Sequence, residues 1–134
     1  AGMGFSNVGL GVVHSMAHGL SALYDTPHGV ACAIILPTGL EYNKPVAGKR
    51  YRAIGKAMQV PGIDNMTDEE AADATIAAVK QLSADVGIPA DLHGILKEED
   101  VAFLAKSAYA DACCPGNPRD TSEAEIAELY KSLL

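Results

Sequence analysis

The segment "TDEEAADATIAAVKQLSADVG", residues 67–87, decides the fold class. It opens on Thr67 with Glu70 three residues later. In that pairing the Thr hydroxyl accepts from the Glu amide while the Glu carboxylate turns back to the Thr amide. Asp68, Glu69 and Glu70 fill the first turn, where negative charge complements the positive end of the helix dipole. Gly87, followed by Pro89, supplies a stop. The sequence alone therefore predicts a helix with a defined start and a defined end.

The same signals recur on both sides. "SEAEIAELYKSLL" (122–134) begins with Ser122 and Glu125, a second capping box. "KEEDVAFLAKSAYADAC" (97–113) reads as a helix stopped by Pro115, and "VAGKRYRAIGKAM" (46–58) as an amphipathic, exposed one. Residues 29–43 run through "VACAIILPTGLEYN" with almost no polar residue before Glu41, which predicts a central helix kinked at Pro37. A first helix is expected over about residues 6–24, with Val12, Val13, Met16, Leu20 and Leu23 as its apolar stripe. Gly9, Gly11 and Gly19 each weaken it by about 1 kcal/mol relative to Ala. Such glycines are tolerated where a backbone or ligand comes close. Pro27 then breaks the helix by disfavouring helical geometry at Thr26. No segment alternates with period two. The expected fold is all-α, a helical bundle forming one domain over residues 1–134.

Composition narrows the function. Apolar residues make up 49% of the 134 and charged residues 20%, as in a folded globular chain. A formal charge of −7 argues against nucleic acid as partner, because phosphate binding needs a concentrated basic surface. The cluster Lys44, Lys49, Arg50 and Arg52 is too short to reverse that and reads as a solvated helix face. Three cysteines, with Cys113 and Cys114 adjacent, cannot build a disulfide framework and suit a cytoplasmic protein. Cys32 lies in an apolar run, where an inert buried thiol is expected. No apolar run reaches membrane-spanning length. The opening "AGMGFSNVGLG" lacks an initiator Met and is apolar from its first residues, which is the expectation for a piece of a longer protein.

Three of the four histidines gather in "GLGVVHSMAHGLSALYDTPHG" (9–29). His14 and His18 are four apart, so on a helix their directions differ by about 40° and their heights by about 6 Å. His28 follows a Pro-containing turn able to fold it back toward them. A lone imidazole would be read as a satisfied core residue. Three in an apolar segment need hydrogen bonds or a metal, because burying an unpartnered polar group is costly. The zinc-hydrolase pattern H-E-x-x-H requires Glu after the first His, and Ser15 stands there. A metal-assisted redox site remains, in which a divalent ion polarises a carbonyl or acidifies an alcohol. His93, after a separate Pro-containing turn, reads as a surface histidine.

"GLGVVHSMAHGLSALYDTPHGVACAIILPTGLEYN" (9–43) resembles the signature of the iron-containing alcohol dehydrogenases, and the likeness continues through "VGIPADLHGI" and "ADACCPGNPRDTSEAEIAELY". The resemblance implies an NAD(P)-dependent enzyme that interconverts small primary alcohols or diols and aldehydes. It also implies an N-terminal dinucleotide-binding domain outside these residues and a metal in the cleft between the domains. By motif position His14 and His28 are implied metal ligands. His18 is the implied non-ligating catalytic histidine near metal and nicotinamide, and so also a cofactor-binding residue. The family's other ligands, an Asp and a His four residues later, have no counterpart here. Asp25 and His28 are three apart, and no His lies four beyond any Asp. Cys32 and Thr38 stand where relatives often carry Asn and His. Nitrogen and oxygen ligation suits Fe(II) or Zn(II), and neither NAD nor NADP is selected. Two ligands alone are expected to hold metal poorly. The helix carrying the missing pair would leave an apolar face uncovered, so a homo-oligomer is expected. A glycerol-type polyol dehydrogenase of the same superfamily and a non-catalytic subunit-contact domain are the alternative readings.

Overall fold

Helices account for all the regular structure in the computed structural model, which describes residues 1–134. In chain order these are α1 Gly2–Val8, α2 Val12–Tyr24, α3 His28–Ala57, α4 Asp68–Asp85, α5 Val101–Ala110 and α6 Glu123–Lys131. Short 3-10 turns occupy Ile63–Asn65, Glu98–Asp100 and Cys114–Gly116, and there is no strand. No helix is long and apolar enough to cross a membrane.

The core is built where α2, α3, α5 and α6 meet. Val12, Met16, Ala17 and Leu20 from α2 pack with Ala31, Ile34 and Ile35 of α3, Leu104, Ala105 and Ala108 of α5, and Ile126 and Tyr130 of α6. These spacings of three and four residues are the one-face pattern of an amphipathic helix. Many of the residues are alanines, so the helices approach closely. A smaller cluster of Tyr51, Ala72 and Ile76 joins the second half of α3 to α4. Helix α4 begins at the complete Thr67–Glu70 capping box. At α6 the box is half formed. Ser122 accepts from the Glu125 amide, but the Glu125 carboxylate turns to the Ser122 hydroxyl and to Arg119.

Three expected boundaries are corrected. The first helix does not run unbroken from residue 6, because the chain leaves α1 at Gly9 with φ 83 and ψ −178, a conformation essentially reserved for glycine. Residues 29–43 and 46–58 are one 30-residue helix, α3, with Pro37 and Pro45 inside it. Pro45 cannot donate to the carbonyl one turn back. The carbonyls flanking that gap are engaged from elsewhere: Tyr51 Oη donates to Leu40 O at 2.8 Å and Arg119 Nη1 to Tyr42 O at 3.0 Å. One side chain from further along α3, Tyr51, and one from a distant loop, Arg119, thus contact the helix beside the interruption. Helix α5 stops at Ala110, before Pro115, because the Asp111 carboxylate accepts from the Cys113 amide at 2.7 Å and draws the backbone out of the helix. The basic cluster is only partly a solvated face. Lys49 and Arg50 are exposed, while Lys44 pairs with Asp73 and Arg52 with Asp68 on α4.

Candidate functional site

Helix α2 carries His14 and His18 one turn apart. Its first amide is capped from far along the chain, Val12 N donating to Asn117 Oδ1 at 3.3 Å. Asn117 is itself locked to Asn43 of α3 by a reciprocal amide pair, at 3.0 and 2.8 Å. Midway along α2, Tyr130 Oη donates to Met16 O at 2.7 Å, and at its end Tyr24 Oη donates to Asp100 Oδ2 at 2.6 Å. The helix that bears two histidines is therefore held at its start, middle and end.

The link from α2 to α3 is three residues long. Asp25 adopts a left-handed conformation with φ 54, which a short polar side chain tolerates, and Pro27 precedes the first turn of α3. His28, the first residue of α3, is thereby folded back over α2. Its ring centroid lies 5.4 Å from that of His14 and 5.2 Å from that of His18, with the His18 and His28 rings stacked. His14 and His18 are 6.3 Å apart, edge to face. All three imidazoles form one group.

Each ring has a different setting. His14 is partly buried, and burial, then the nearby His28 and His18, lower its pKa below the ordinary imidazole value. That favours the neutral form, whose free nitrogen lone pair can ligate a metal. His18 has 44% of its side chain exposed, and its Nδ1 donates to Asp111 Oδ2 at 2.9 Å. Burial by itself would raise the Asp111 carboxyl, but donation from the Cys113 amide and from His18 outweighs it and holds the pKa below its usual value. An ionised carboxylate only accepts, so His18 Nδ1 carries the proton of this hydrogen bond, and Nε2 is the nitrogen left to exchange a proton. His28 is exposed, with Cys32 Sγ 3.5 Å from its Nε2. Burial pushes the Cys32 thiol up.

The donor set fits a divalent metal. One ligand atom each from His14, His28 and Cys32 lies within 4.8 Å of the others, and the same holds for His18, Asp111 and Cys113. Ser15, in the place of a hydrolase's Glu, is buried with its hydroxyl on Val12 O at 3.0 Å, so no general base stands there. His93 is exposed in a turn and donates through Nδ1 to Leu134 O at 2.8 Å, remote in role from the cluster as expected. Three members were missed in the sequence, Cys32, Asp111 and Cys113. Cys32 was legible in principle, being four residues after His28 on a helix. Asp111, 93 residues from His18, was not.

The model of the Fe-containing alcohol dehydrogenase family, C-terminal region, matches residues 1–134. The chain belongs to this family. Among its relatives, lactaldehyde reductase of Escherichia coli (strain K12) is 50% identical over 131 residues, covering 97% of this chain and 34% of that protein. The 1,3-propanediol dehydrogenase of Citrobacter freundii is 42% identical over 132 residues, covering 98% and 34%. In structure, an alcohol dehydrogenase from Oenococcus oeni superposes with a TM-score of 0.93 at 39% identity, covering 99% of this chain and 35% of that one. The chain thus spans about a third of the length of the relatives it matches. Across that third, family membership accounts for the all-helical architecture expected from the sequence.

Proposed function

We propose that residues 1–134 are the metal-holding helical part of an NAD- or NADP-linked alcohol dehydrogenase acting on small primary alcohols or diols and their aldehydes. The observation that carries the reading is the convergence of His14, His18 and His28 from two helices onto one spot. His14 and His28 would hold the divalent ion, Fe(II) or Zn(II), with donors and a dinucleotide-binding domain contributed by residues beyond these 134. When bound, the ion supplies Lewis acidity at the substrate oxygen and the nicotinamide supplies the hydride acceptor.

The remaining work falls to this chain's own side chains. Oxidation of an alcohol to an aldehyde releases a proton with the hydride, and His18 Nε2 is the acceptor available for it. Asp111 keeps Nδ1 protonated and stabilises the imidazolium that forms. In the reducing direction the same nitrogen returns the proton to the carbonyl oxygen. The relatives named for lactaldehyde and 1,3-propanediol support small diols as the substrate class. The cytoplasm is the proposed setting, in keeping with three free thiols.

The test is a chimera in which residues 1–134 replace the matched third of the Escherichia coli lactaldehyde reductase. It is expected to bind metal and to oxidise small diols. His14→Ala or His28→Ala should strip the metal and abolish turnover. His18→Ala should keep the metal and slow turnover by about 100- to 10,000-fold, the usual range for general acid–base groups. Full metal content in the His14 or His28 variant overturns the ligand assignment, and metal lost from the His18 variant makes His18 a ligand.

A further inference from the structure

We propose that the cleft between the Pro37 turn of α3 and the end of α4 is a small-molecule site separate from the histidine cluster, and that it takes a short aliphatic hydroxycarboxylate. The cavity measures about 370 Å³, within the size range of ligand pockets. Its floor is apolar: Ile34 and Leu133 are 2% and 4% exposed, and Ile88 packs against the core. No residue of the histidine cluster lines it. At about 100° per residue, Ala33 and Pro37 project roughly 140° and roughly 180° around α3 from His28, so the cleft faces away from the imidazoles.

The polar groups around that floor select the ligand. Pro37 has no N–H, so the Ala33 carbonyl one turn earlier loses its helical donor. Ala33 and Pro37 both line the cavity, which opens on the side where that bond is missing. An acceptor left unpaired away from water is costly, so this carbonyl calls for a donor from whatever fills the cleft. Lys80 and Ser83 of α4 and Thr38 of α3 also line it, and neither of these two hydroxyls hydrogen bonds within the chain. The Lys80 ammonium pairs with Glu41 at 3.4 Å, the longest ion pair in the chain and exposed at both partners. Such a pair is weak, and the ammonium keeps donors free. No acidic side chain lines the cavity. A simple carboxylate would satisfy Lys80 and the hydroxyls but leave the Ala33 carbonyl bare. A simple alcohol would donate to that carbonyl but bring no charge to Lys80. A hydroxycarboxylate does both, and its alkyl chain covers Ile34, Ile88 and Leu133.

The experiment is a titration of the isotope-labelled 134-residue chain with 2-hydroxybutyrate, followed by amide chemical shifts. Shifts are expected at Ala33, Ile34, Thr38, Lys80 and Ser83. Butyrate and butane-1,2-diol, four-carbon probes that each lack one of the two groups, should bind about 10-fold or more weakly, the range for leaving a polar or charged partner unserved. Pro37→Ala returns an N–H to the Ala33 carbonyl and replaces the poorest helix former by the best, so the helix is kept. It should lower 2-hydroxybutyrate affinity to that of butyrate. Lys80→Met should weaken 2-hydroxybutyrate by about 10-fold and leave butane-1,2-diol unchanged. Lys49→Met, at a different cleft, should alter neither. Absence of shifts at these amides overturns the site, and shifts confined to residues 14, 18 and 28 overturn it by placing the ligand on the histidines. Butyrate binding as tightly as 2-hydroxybutyrate, or unchanged affinity in Pro37→Ala, overturns the part played by the Ala33 carbonyl and with it the ligand class. Unchanged affinity in Lys80→Met overturns the seat for the carboxylate.

Discussion

Replacing Asn117 by Ala tests whether the loop after α5 organises the histidine helix. The Asn117 amide makes four hydrogen bonds: it accepts from Val12 N and Asn43 Nδ2, and donates to Asn43 Oδ1 and Arg119 O. At about 1 kcal/mol net for each neutral hydrogen bond, the full loss is about 4 kcal/mol. Asn117 is only half-buried, so water can replace the partners of Val12 and Arg119, whereas the buried Asn43 amide is left with both ends unpaired. The expected destabilisation is therefore about 2–4 kcal/mol, above the roughly 1 kcal/mol of a typical cap. Urea unfolding with linear extrapolation measures it, with the slope expected unchanged because the surface exposed on unfolding is the same. Hydrogen exchange should accelerate at residues 13–15, the first turn of α2. The Asn43→Ala, Asn117→Ala cycle should show coupling above about 1 kcal/mol, as the two side chains satisfy each other. A loss under about 0.5 kcal/mol, or strictly additive single changes, would show that the amide pair and the distant cap hold nothing in place.

Two further outcomes follow from hydrogen bonds at helix ends. In the chimera, Asp111→Asn should retain metal but lower kcat by about 10- to 100-fold, part of the roughly 100- to 10,000-fold that a positioned general acid–base group contributes; the change should fall on kcat more than on KM. An unaltered kcat would mean that His18 needs no anchor. At Glu70, acceptance from the Thr67 backbone and then from its hydroxyl depresses the carboxyl pKa below its reference of 4.5. A depressed folded pKa adds stability that is present above the unfolded value and is lost as pH falls through the folded one. Glu70→Gln should therefore be less stable than wild type at pH 7, with the gap closing below about pH 4. Urea midpoints measured across that range check it, and a gap independent of pH would remove the charge from the account.

The fold class was legible because its signals are local. Thr67 with Glu70, Ser122 with Glu125, and the three- and four-residue spacing of apolar side chains act over a single turn, and the helices they announce are present. The histidine pair at 14 and 18 was legible on the same grounds, since a one-turn spacing on a helix needs no partner to be interpreted. What the sequence could not decide depends on groups far apart in the chain. The joining of two predicted helices into α3 across Pro45 is accompanied by Arg119, 77 residues away, donating to Tyr42 O beside the carbonyl that Pro45 cannot serve, a contact no local rule announces. The break at Gly9 could be suspected from glycine content but not located, because it is fixed where residues 10–12 meet the loop carrying Asn117. The pairing of His18 with Asp111 spans 93 residues, and only packing of α2 against α5 brings them to 2.9 Å. Periodicity and capping are properties of neighbours along the chain; the partner of a side chain is a property of the folded surface, and it is there that the chemistry of this site was decided.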